Sequence, residues 1–275
     1  MDSQFKIIHP EKYLRHYLAQ DLRPDGRDFM SFRPVSINVS SIKQADSSCV
    51  FKVGNTTVIC GIKAELSVPK ALTPDCGYVV VNVDLPPICS PKFRPGPPSE
   101  EAQCATKIVD EILTNSLILD LRDLCICKDK LVWVLYCDLV CVDYDGSVID
   151  VCVGALMAAL DTLNLPEVTY DAETKLTVTH PVNRNPVPLK SITVSTTFAA
   201  FDERILIVDP TEDEESLSHS RISIAVNADN MCFVHKSGGS PMAEKLVTKS
   251  ITMAKKRAEA VRKLIETATL PFKDT

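Results

Sequence analysis

The sequence predicts an α+β fold in which helices pack on mixed β-sheets. This prediction rests on the order of the sequence patterns: runs of β-branched and apolar residues precede helical patterns twice, once in each half of the chain. The length of 275 residues allows one large domain or two small ones. With 45% hydrophobic residues, the chain can also bury a sizeable core.

The first half opens with a helix and a β-hairpin. Apolar and aromatic residues recur at helical spacing in His9–Gln20, and the turn residues of Arg23–Arg27 follow that helix. Cys49–Val53 and Thr57–Ile62 are rich in β-branched and apolar residues, and Gly54-Asn55 lies between them. A glycine–asparagine pair between two strand-like runs predicts a hairpin.

A proline-rich loop, Cys89–Ser99, separates the hairpin from a second helix, because proline has no N–H to donate in a helix or a ladder. Ser99 is suited to cap that helix, and Glu100 and Glu101 suit the positive end of its dipole. The inner face of the helix is predicted from apolar residues at helical spacing: Ala105, Ile108, Val109 and Ile112.

The longest apolar runs lie in the middle of the chain. Leu131–Tyr144 is nearly continuous in apolar character, which is typical of a strand buried on both faces. Val151–Leu163 is predicted to be a helix that stops before Pro166, and its apolar stretch, Val151–Leu160, predicts burial in the core. That stretch is shorter than the roughly 18–20 residues that span a bilayer, so we expect no membrane segment.

The second half is rich in strands and ends in an amphipathic helix, at about Pro241–Thr267. The acidic segment Glu212–Glu215 is predicted to be a solvated turn. Pro166–Lys190 contains four prolines and no periodicity. We therefore place the domain boundary there, with residues 1–180, led by a helix in about the first 22, as one domain and 181–275 as the other. The strands are predicted at Ile192–Phe201, Arg204–Val208, Arg221–Val226 and Met231–His235.

Cysteine usage and charge restrict the function classes. The 11 cysteines are odd in number and lie mostly in apolar runs, which indicates free thiols in a reducing compartment. Cys125 and Cys127 form a CxC with no second pair at zinc spacing, so we expect no metal and no cofactor. The polar N-terminus is unlike a secretory signal. The net charge of −6 disfavours a stand-alone nucleic-acid binder, since phosphate contacts need a basic surface.

Six segments resemble blocks of the RNase PH family and occur in the order found in that family. They are RPDGR at 23–27, DSSCVFKVGNTTVICGIKAE at 46–65, GYVVVNVDLPP at 77–87, FRPGPPSEEAQ at 93–103, LVWVLYCDL at 131–139 and VHKSGGS at 234–240. The chain resembles in particular the non-catalytic ring subunits of the eukaryotic RNA exosome. The resemblance implies an RNase PH-like fold (ribosomal protein S5 domain 2-like) with two related halves.

The resemblance allows the phosphate loop of the family to be tested. Active members degrade RNA from its 3′ end with inorganic phosphate as the attacking group, and they follow the loop glycine with a turn that contains an arginine. Asp145-Gly146-Ser147 is similar to that loop, but Val148 and Ile149 follow it. A phosphate dianion needs a cation, so the resemblance implies that phosphorolysis is lost.

Two further elements of the family's active site are also altered. Active members carry an arginine-rich segment around the helix after the proline loop, whereas Glu100–Asn115 has Lys107 as its one basic residue. Active members also have an aspartate in an acidic cluster and another shortly after it. Asp213 is similar to the first, but the second falls at or near Arg221, and Leu217–Ile222 has no acidic residue. We therefore expect no catalytic residues.

The implied function is structural: a subunit that helps form a hexameric ring, whose channel feeds RNA 3′ ends to a nuclease in ribosomal RNA processing and RNA decay. The implied partners are another RNase PH-like ring subunit as an obligate heterodimer neighbour, cap subunits with S1 or KH domains, and single-stranded RNA. The implied location is the nucleus, including the nucleolus, and the cytoplasm. Two alternatives stay open: an active phosphate-dependent 3′–5′ exoribonuclease and a stand-alone RNA-binding module.

Lys92, Phe93 and Arg94 are the candidates for RNA contact. They lie together on the proline-rich loop. Cations beside an aromatic ring can bind RNA by charge and by stacking on its bases. A loop packed in an interface is the alternative interpretation of the same three residues.

Overall fold

The computed structural model describes residues 2–171, 177–202, 204–228 and 230–273, and it confirms the α+β fold class. The helices are α1 (Asp2–Ile8), α2 (Pro10–Leu18), α3 (Glu100–Ser116), α4 (Val148–Asp161), α5 (Glu212–Leu217) and α6 (Glu244–Lys273). The strands are β1 (Val35–Val39), β2 (Ser47–Val53), β3 (Thr56–Ser67), β4 (Tyr78–Asp84), β5 (Cys125–Cys127), β6 (Leu131–Asp143), β7 (Asn164–Tyr170), β8 (Thr177–Pro186), β9 (Thr193–Phe201), β10 (Ile205–Val208), β11 (Ser220–Asn227) and β12 (Asn230–Lys236).

The strands form two main sheets and one separate hairpin. The first sheet has the order β1-β2-β3-β6-β4, with β5 also paired to β6. It is mixed, because β4 runs parallel to β6 while the other neighbours are antiparallel. The second sheet has the order β10-β9-β11-β12 and is antiparallel. The third pairing, β7 with β8, is a hairpin that extends from the first half.

Helix α4 lies between the two main sheets and forms the centre of the core. It packs on β2 and β3 of the first sheet and on β9 of the second. All ten residues of Val151–Leu160 are buried, as the apolar run predicts. Gly154 permits the close packing, because a Cβ atom there would lie 2.6 Å from the Phe51 ring. Helix α6 packs against β9 and β11 of the second sheet, and it also contacts α4 and β1 of the first sheet.

The first turn of α4 is tied to the second sheet by Asp150. Its carboxylate accepts hydrogen bonds from the Ser195 hydroxyl at 2.8 Å and from the Thr197 backbone N–H at 2.6 Å. Burial raises the pKa of Asp150 to about 7, although these hydrogen bonds oppose the shift. The start of α4 is therefore fixed to β9 as well as packed against it.

A buried ionic network joins the N-terminal segment to the second sheet. Arg23 is 1% exposed and donates from Nε to Glu214 Oε1 at 2.9 Å, from Nη1 to the Val208 carbonyl at 2.9 Å and from Nη2 to the Asp209 carbonyl at 3.0 Å. The Glu214 carboxylate is bound at its second oxygen by the same guanidinium. A buried charge needs such partners, so Arg23 fixes the position of α5.

Arg33 completes this network at the end of β10. It donates to both carboxylate oxygens of Asp209, at 2.6 and 3.0 Å, and to the Asp145 carbonyl at 2.7 Å. Burial raises the pKa of Asp209, but the hydrogen bonds and charge of Arg33, together with the charge of Arg27, outweigh it and leave the pKa lowered. Arg33 thus connects β10 to the turn that follows β6.

The helices at Glu100 and near the C-terminus agree with the sequence patterns. The Ser99 hydroxyl accepts a hydrogen bond from the Ala102 N–H at 3.2 Å, which caps α3 as predicted. The N-terminal region differs from the single leading helix that was predicted. It forms two helices, because Pro10 starts α2 at a position where its missing N–H costs nothing.

The central strand β6 departs from its prediction. Tyr136 and Val140 are 38% and 37% exposed, and Asp138 between them is also exposed, with the Asn82 amide 3.5 Å away. Helix α4 covers only one face of this sheet, so the other face meets solvent in the single chain. The continuous apolar run therefore does not mean burial on both faces.

The segment Pro166–Lys190 also departs from the loop-like interpretation, since much of it forms the β7–β8 hairpin. All of β8 is exposed, so neither face is selected for apolar residues and no periodicity marks the strand. Position 180 lies within β8. The domain boundary at 180 stays a prediction.

We expect Glu214→Gln to lower the free energy of unfolding by about 3–5 kcal/mol, because it leaves the Arg23 charge buried without its partner. Asp213→Asn on the same helix is the matched control. Asp213 pairs with Lys6 at 2.6 Å, but its side chain is 63% exposed, and an exposed pair contributes less than about 1 kcal/mol. Urea denaturation followed by circular dichroism measures both, and equal losses would contradict the assignment.

Candidate functional site

A cleft of ≈ 620 Å³ opens at the start of α4. It is bounded by the first turns of α3 and α4, by α5 and by strands β9, β11 and β12. Its lining is partly apolar and partly acidic. The apolar lining includes Leu85, Ala105, Ile108, Val148 and Ile149, and the acidic lining consists of Glu100, Glu101, Glu212, Asp213 and Glu215.

The turn before α4 packs closely against the segment that enters α5. Gly146 has φ +74°, and a Cβ atom there would lie 2.5 Å from the Pro210 carbonyl oxygen. The Ser147 hydroxyl donates to the same carbonyl at 3.1 Å, and the Thr56 hydroxyl donates to the Gly146 carbonyl at 2.8 Å. Glycine at this turn is therefore required by the approach of two backbones.

Glu215 reaches across the cleft to the beginning of α4. Its Oε1 accepts a hydrogen bond from the Ser147 backbone N–H at 2.8 Å, and its Oε2 lies 3.0 Å from Arg221 Nη1. The side chain is only 7% exposed. Burial raises the pKa of Glu215, while the charge of Arg221 and the Ser147 N–H oppose the shift. One carboxylate thus binds both a helix-start amide and a guanidinium.

The lysine and the arginine that line the cleft are each paired within the chain. Lys92 Nζ lies 2.6 Å from Glu101 Oε1, and Arg221 is bound by Glu215 as described above. Burial raises the pKa of Glu212, and the charge of Lys92 only partly opposes the shift. The cleft as a whole is acidic, with five carboxylates against these two cations.

Val148 and Ile149 occupy the first turn of α4 and line the cleft with aliphatic groups. These are the residues that follow the phosphate-type loop in the sequence comparison with active members. An aliphatic side chain supplies neither charge nor a donor to a dianion. Residues 148–151, the first turn of α4, therefore include no basic side chain.

The acidic segment Glu212–Glu215 is not the solvated turn that was predicted. It forms most of α5, and Glu214 is 1% exposed because it binds Arg23. Asp213 faces outward and pairs with Lys6 at 2.6 Å. The candidate pair of aspartates is not assembled, since the position near Arg221 holds a cation bound to Glu215.

The three candidates for RNA contact on the proline-rich loop differ in their burial and in their contacts. Phe93 is 6% exposed and packs edge-on against Tyr144, with ring centroids 5.4 Å apart, so its faces are not open to a base. Lys92 is bound by Glu101 and lies over both rings. Arg94 is exposed. No observation tests RNA contact by Lys92 or Arg94, which stays a prediction.

Lys107, the one basic residue of Glu100–Asn115, lies away from the cleft. Lys107 pairs with Glu111 at 3.4 Å on the exposed side of α3. Across the described ranges, no group of three or more His, Cys, Asp or Glu side chains is arranged to hold a metal ion. In the same residues, no helix has the length and apolar character needed to cross a membrane.

The sequence analysis did not identify Glu215 as a residue that contacts the turn before α4. Its neighbours in the chain are acidic, and nothing in the spacing distinguishes Glu215, which turns inward, from Asp213, which turns outward. A capping-box pattern, Thr211 with Glu214, is the one local indication that the segment is a helix.

Comparisons with known proteins agree with this architecture. The models of the 3′ exoribonuclease family match residues 31–166 for domain 1 and 191–257 for domain 2. The chain is 39% identical over 256 residues to the exosome complex component rrp43 of Schizosaccharomyces pombe, covering 93% of this chain and 94% of that protein. It is 35% identical to the exosome complex component Rrp42 of Pyrococcus furiosus, covering 92% and 91%.

The fold is also similar to a solved structure. A chain of the Archaeoglobus fulgidus exosome, determined with RNA bound to the active site, has a TM-score of 0.83 and 31% identity. The similarity covers 92% of this chain and 96% of that one. Together, the two family models span more than half of the residues. The chain therefore belongs to the RNase PH family, with the two domains of the 3′ exoribonuclease family in succession along it.

Proposed function

We propose that this chain is a non-catalytic, structural subunit of the hexameric ring of an RNA exosome. The observation that carries this proposal is the cleft at the start of α4. Val148 and Ile149 line it where a phosphorolytic enzyme needs a cation, and its lysine and its arginine are already paired with Glu101 and Glu215, respectively. Without a free cation, neither phosphate nor the scissile group of RNA is neutralised.

The names of the relatives support the ring assignment. The proteins from S. pombe and P. furiosus are both named exosome complex components, and both similarities extend over nearly the full length of each protein. Among ring subunits, the sequence resemblance favours the type called ribosomal RNA-processing protein 43, the type named in the S. pombe relative.

The exposed face of the first sheet supports a role with partner subunits. Val80 and Tyr136 are cross-strand neighbours on that face, and Val140 follows on the same strand. They are 40%, 38% and 37% exposed, respectively. A sheet with one covered face and apolar residues on the other is suited to contact a second protein. We propose an RNase PH-like ring subunit as the obligate heterodimer neighbour and S1 or KH subunits as the cap.

The net charge of −6 supports a role in which RNA is held by the assembly rather than by this chain alone. The ring would pass single-stranded RNA through its channel to a nuclease elsewhere. We place this work in ribosomal RNA processing and RNA decay, in the nucleus with its nucleolus and in the cytoplasm.

The purified full chain is expected to release no nucleoside diphosphates from single-stranded RNA in the presence of inorganic phosphate, because the cleft has no free cation. Thin-layer chromatography of end-labelled RNA products measures this. Asp213→Asn serves as the matched variant. Phosphate-dependent release by the unaltered chain that disappears in Asp213→Asn would establish the active exoribonuclease instead.

A tagged form recovered from its own cells is expected in a large hetero-complex with other RNase PH-like chains, because Val80, Tyr136 and Val140 give the exposed face of its first sheet an apolar part suited to a partner. Native mass spectrometry gives both the mass and the composition. A free monomer or a homo-hexamer of this chain would refute the ring assignment.

In the assembled complex, Arg94→Ala is expected to reduce ultraviolet crosslinking of single-stranded RNA to this subunit more than Lys92→Ala does. The reason is that Lys92, although exposed, is held in an ion pair with Glu101, whereas the exposed Arg94 forms no ion pair within the described residues. Lys107→Ala, on the far side of α3, is the control. Equal crosslinking of all forms would show that the proline-rich loop does not contact the RNA.

A further inference from the structure

We propose that Glu215 fills the position in which the cleft would otherwise bind an inorganic phosphate ion. The cleft would then be closed to phosphate by an internal anion, in addition to having the aliphatic Val148 and Ile149 at the first turn of α4. This inference rests on the proposed non-catalytic function and deepens it, because it identifies the residue that excludes the attacking group.

The start of α4 is built to attract an anion. The helix is 14 residues long, and Ser147 immediately precedes it. Backbone N–H groups at a helix start, together with the positive end of the helix dipole, favour negative charge. Here the charge is supplied by the protein, since Glu215 Oε1 accepts from the Ser147 N–H at 2.8 Å.

The same carboxylate also takes the arginine of the cleft. Arg221 Nη1 lies 3.0 Å from Glu215 Oε2, so the amide and the guanidinium converge on one carboxylate. A phosphate ion could use the same two groups, because both donate hydrogen bonds to anionic oxygens. Glu215 therefore satisfies the donors that would hold phosphate.

Contacts made by neighbouring residues hold Glu215 in this position. The adjacent residue, Glu214, is fixed by the buried Arg23. Gly146 allows the backbone at Pro210 to approach the turn, and a side chain there would push α5 away. With the helix fixed from both sides, the carboxylate is preorganised and a weakly bound ion cannot easily displace it.

One consequence separates this proposal from a simple loss of the cation. Placing an arginine at Ile149 would restore a positive charge in the cleft, but Glu215 would still occupy the amide and would also pair with the new arginine. Restoring phosphate binding would therefore require two changes, the arginine and the removal of the Glu215 carboxylate.

The test is a titration of the ¹⁵N-labelled full chain with inorganic phosphate at constant ionic strength, followed through the Ser147 amide resonance. The forms compared are the unaltered chain, Ile149→Arg, Ile149→Arg with Glu215→Ala, and Ile149→Arg with Glu212→Ala. Glu212 is the matched control, since it lies on the same helix and lines the same cleft. Glu212→Ala also changes the net charge by the same amount as Glu215→Ala.

We expect the Glu215→Ala double variant to bind phosphate at least about tenfold more tightly than Ile149→Arg alone, because two charge-assisted donors are freed. The Glu212→Ala double variant should stay close to Ile149→Arg. If the Glu215→Ala form does not fold by circular dichroism, Glu215→Gln replaces it in the same comparison.

Equal affinities of Ile149→Arg with and without Glu215→Ala would overturn the inference and leave the proposed function intact. An equal gain from Glu212→Ala would also overturn it, because the effect would then be one of net charge. Saturable phosphate binding by the unaltered chain, together with phosphorolysis of RNA, would overturn both.

Discussion

The carboxylates of Asp209 and Glu214 join separate parts of the chain. Both are buried, and each is bound by an arginine of the N-terminal segment, Asp209 by Arg33 and Glu214 by Arg23. Moving a charge out of water costs free energy, so a buried charge is tolerated only with partners in good geometry. The N-terminal segment must therefore fold across the second sheet, and α5 must lie beside the turn before α4.

This network determines the character of the cleft. With α5 fixed by Glu214, the next carboxylate of the same helix, Glu215, lies at the Ser147 amide, and Asp213 is directed to solvent. The phosphate-type turn keeps the glycine that its backbone conformation requires. In its surroundings, the backbone N–H that precedes α4 is bound by a carboxylate of the protein itself, that of Glu215.

The packing connects the cleft to the centre of the fold. The stability of the centre comes from α4, which is buried between two sheets and anchored by Asp150 to β9. The cleft lies at the end of this helix, and its apolar lining, including Val148 and Ile149, packs against the core. Val148 and Ile149 therefore supply apolar contacts at a position where an anion site would need polar ligands.

The sequence by itself determined the α+β class, the β2–β3 hairpin, the cap of α3 at Ser99 and the burial of α4, because these follow from local chemistry: turn residues, capping groups and apolar runs. It also located the phosphate-type turn through family resemblance. The tertiary structure alone decided which acids of Glu212–Glu215 turn inward, that Phe93 is buried against Tyr144, and that β6 is covered on one face. It also revealed the β7–β8 hairpin, whose exposed strand carries no periodicity. The orientation of these acids, the burial of Phe93 and the covering of β6 depend on contacts between residues distant in sequence, and neither composition nor spacing encodes which distant partner a side chain will meet.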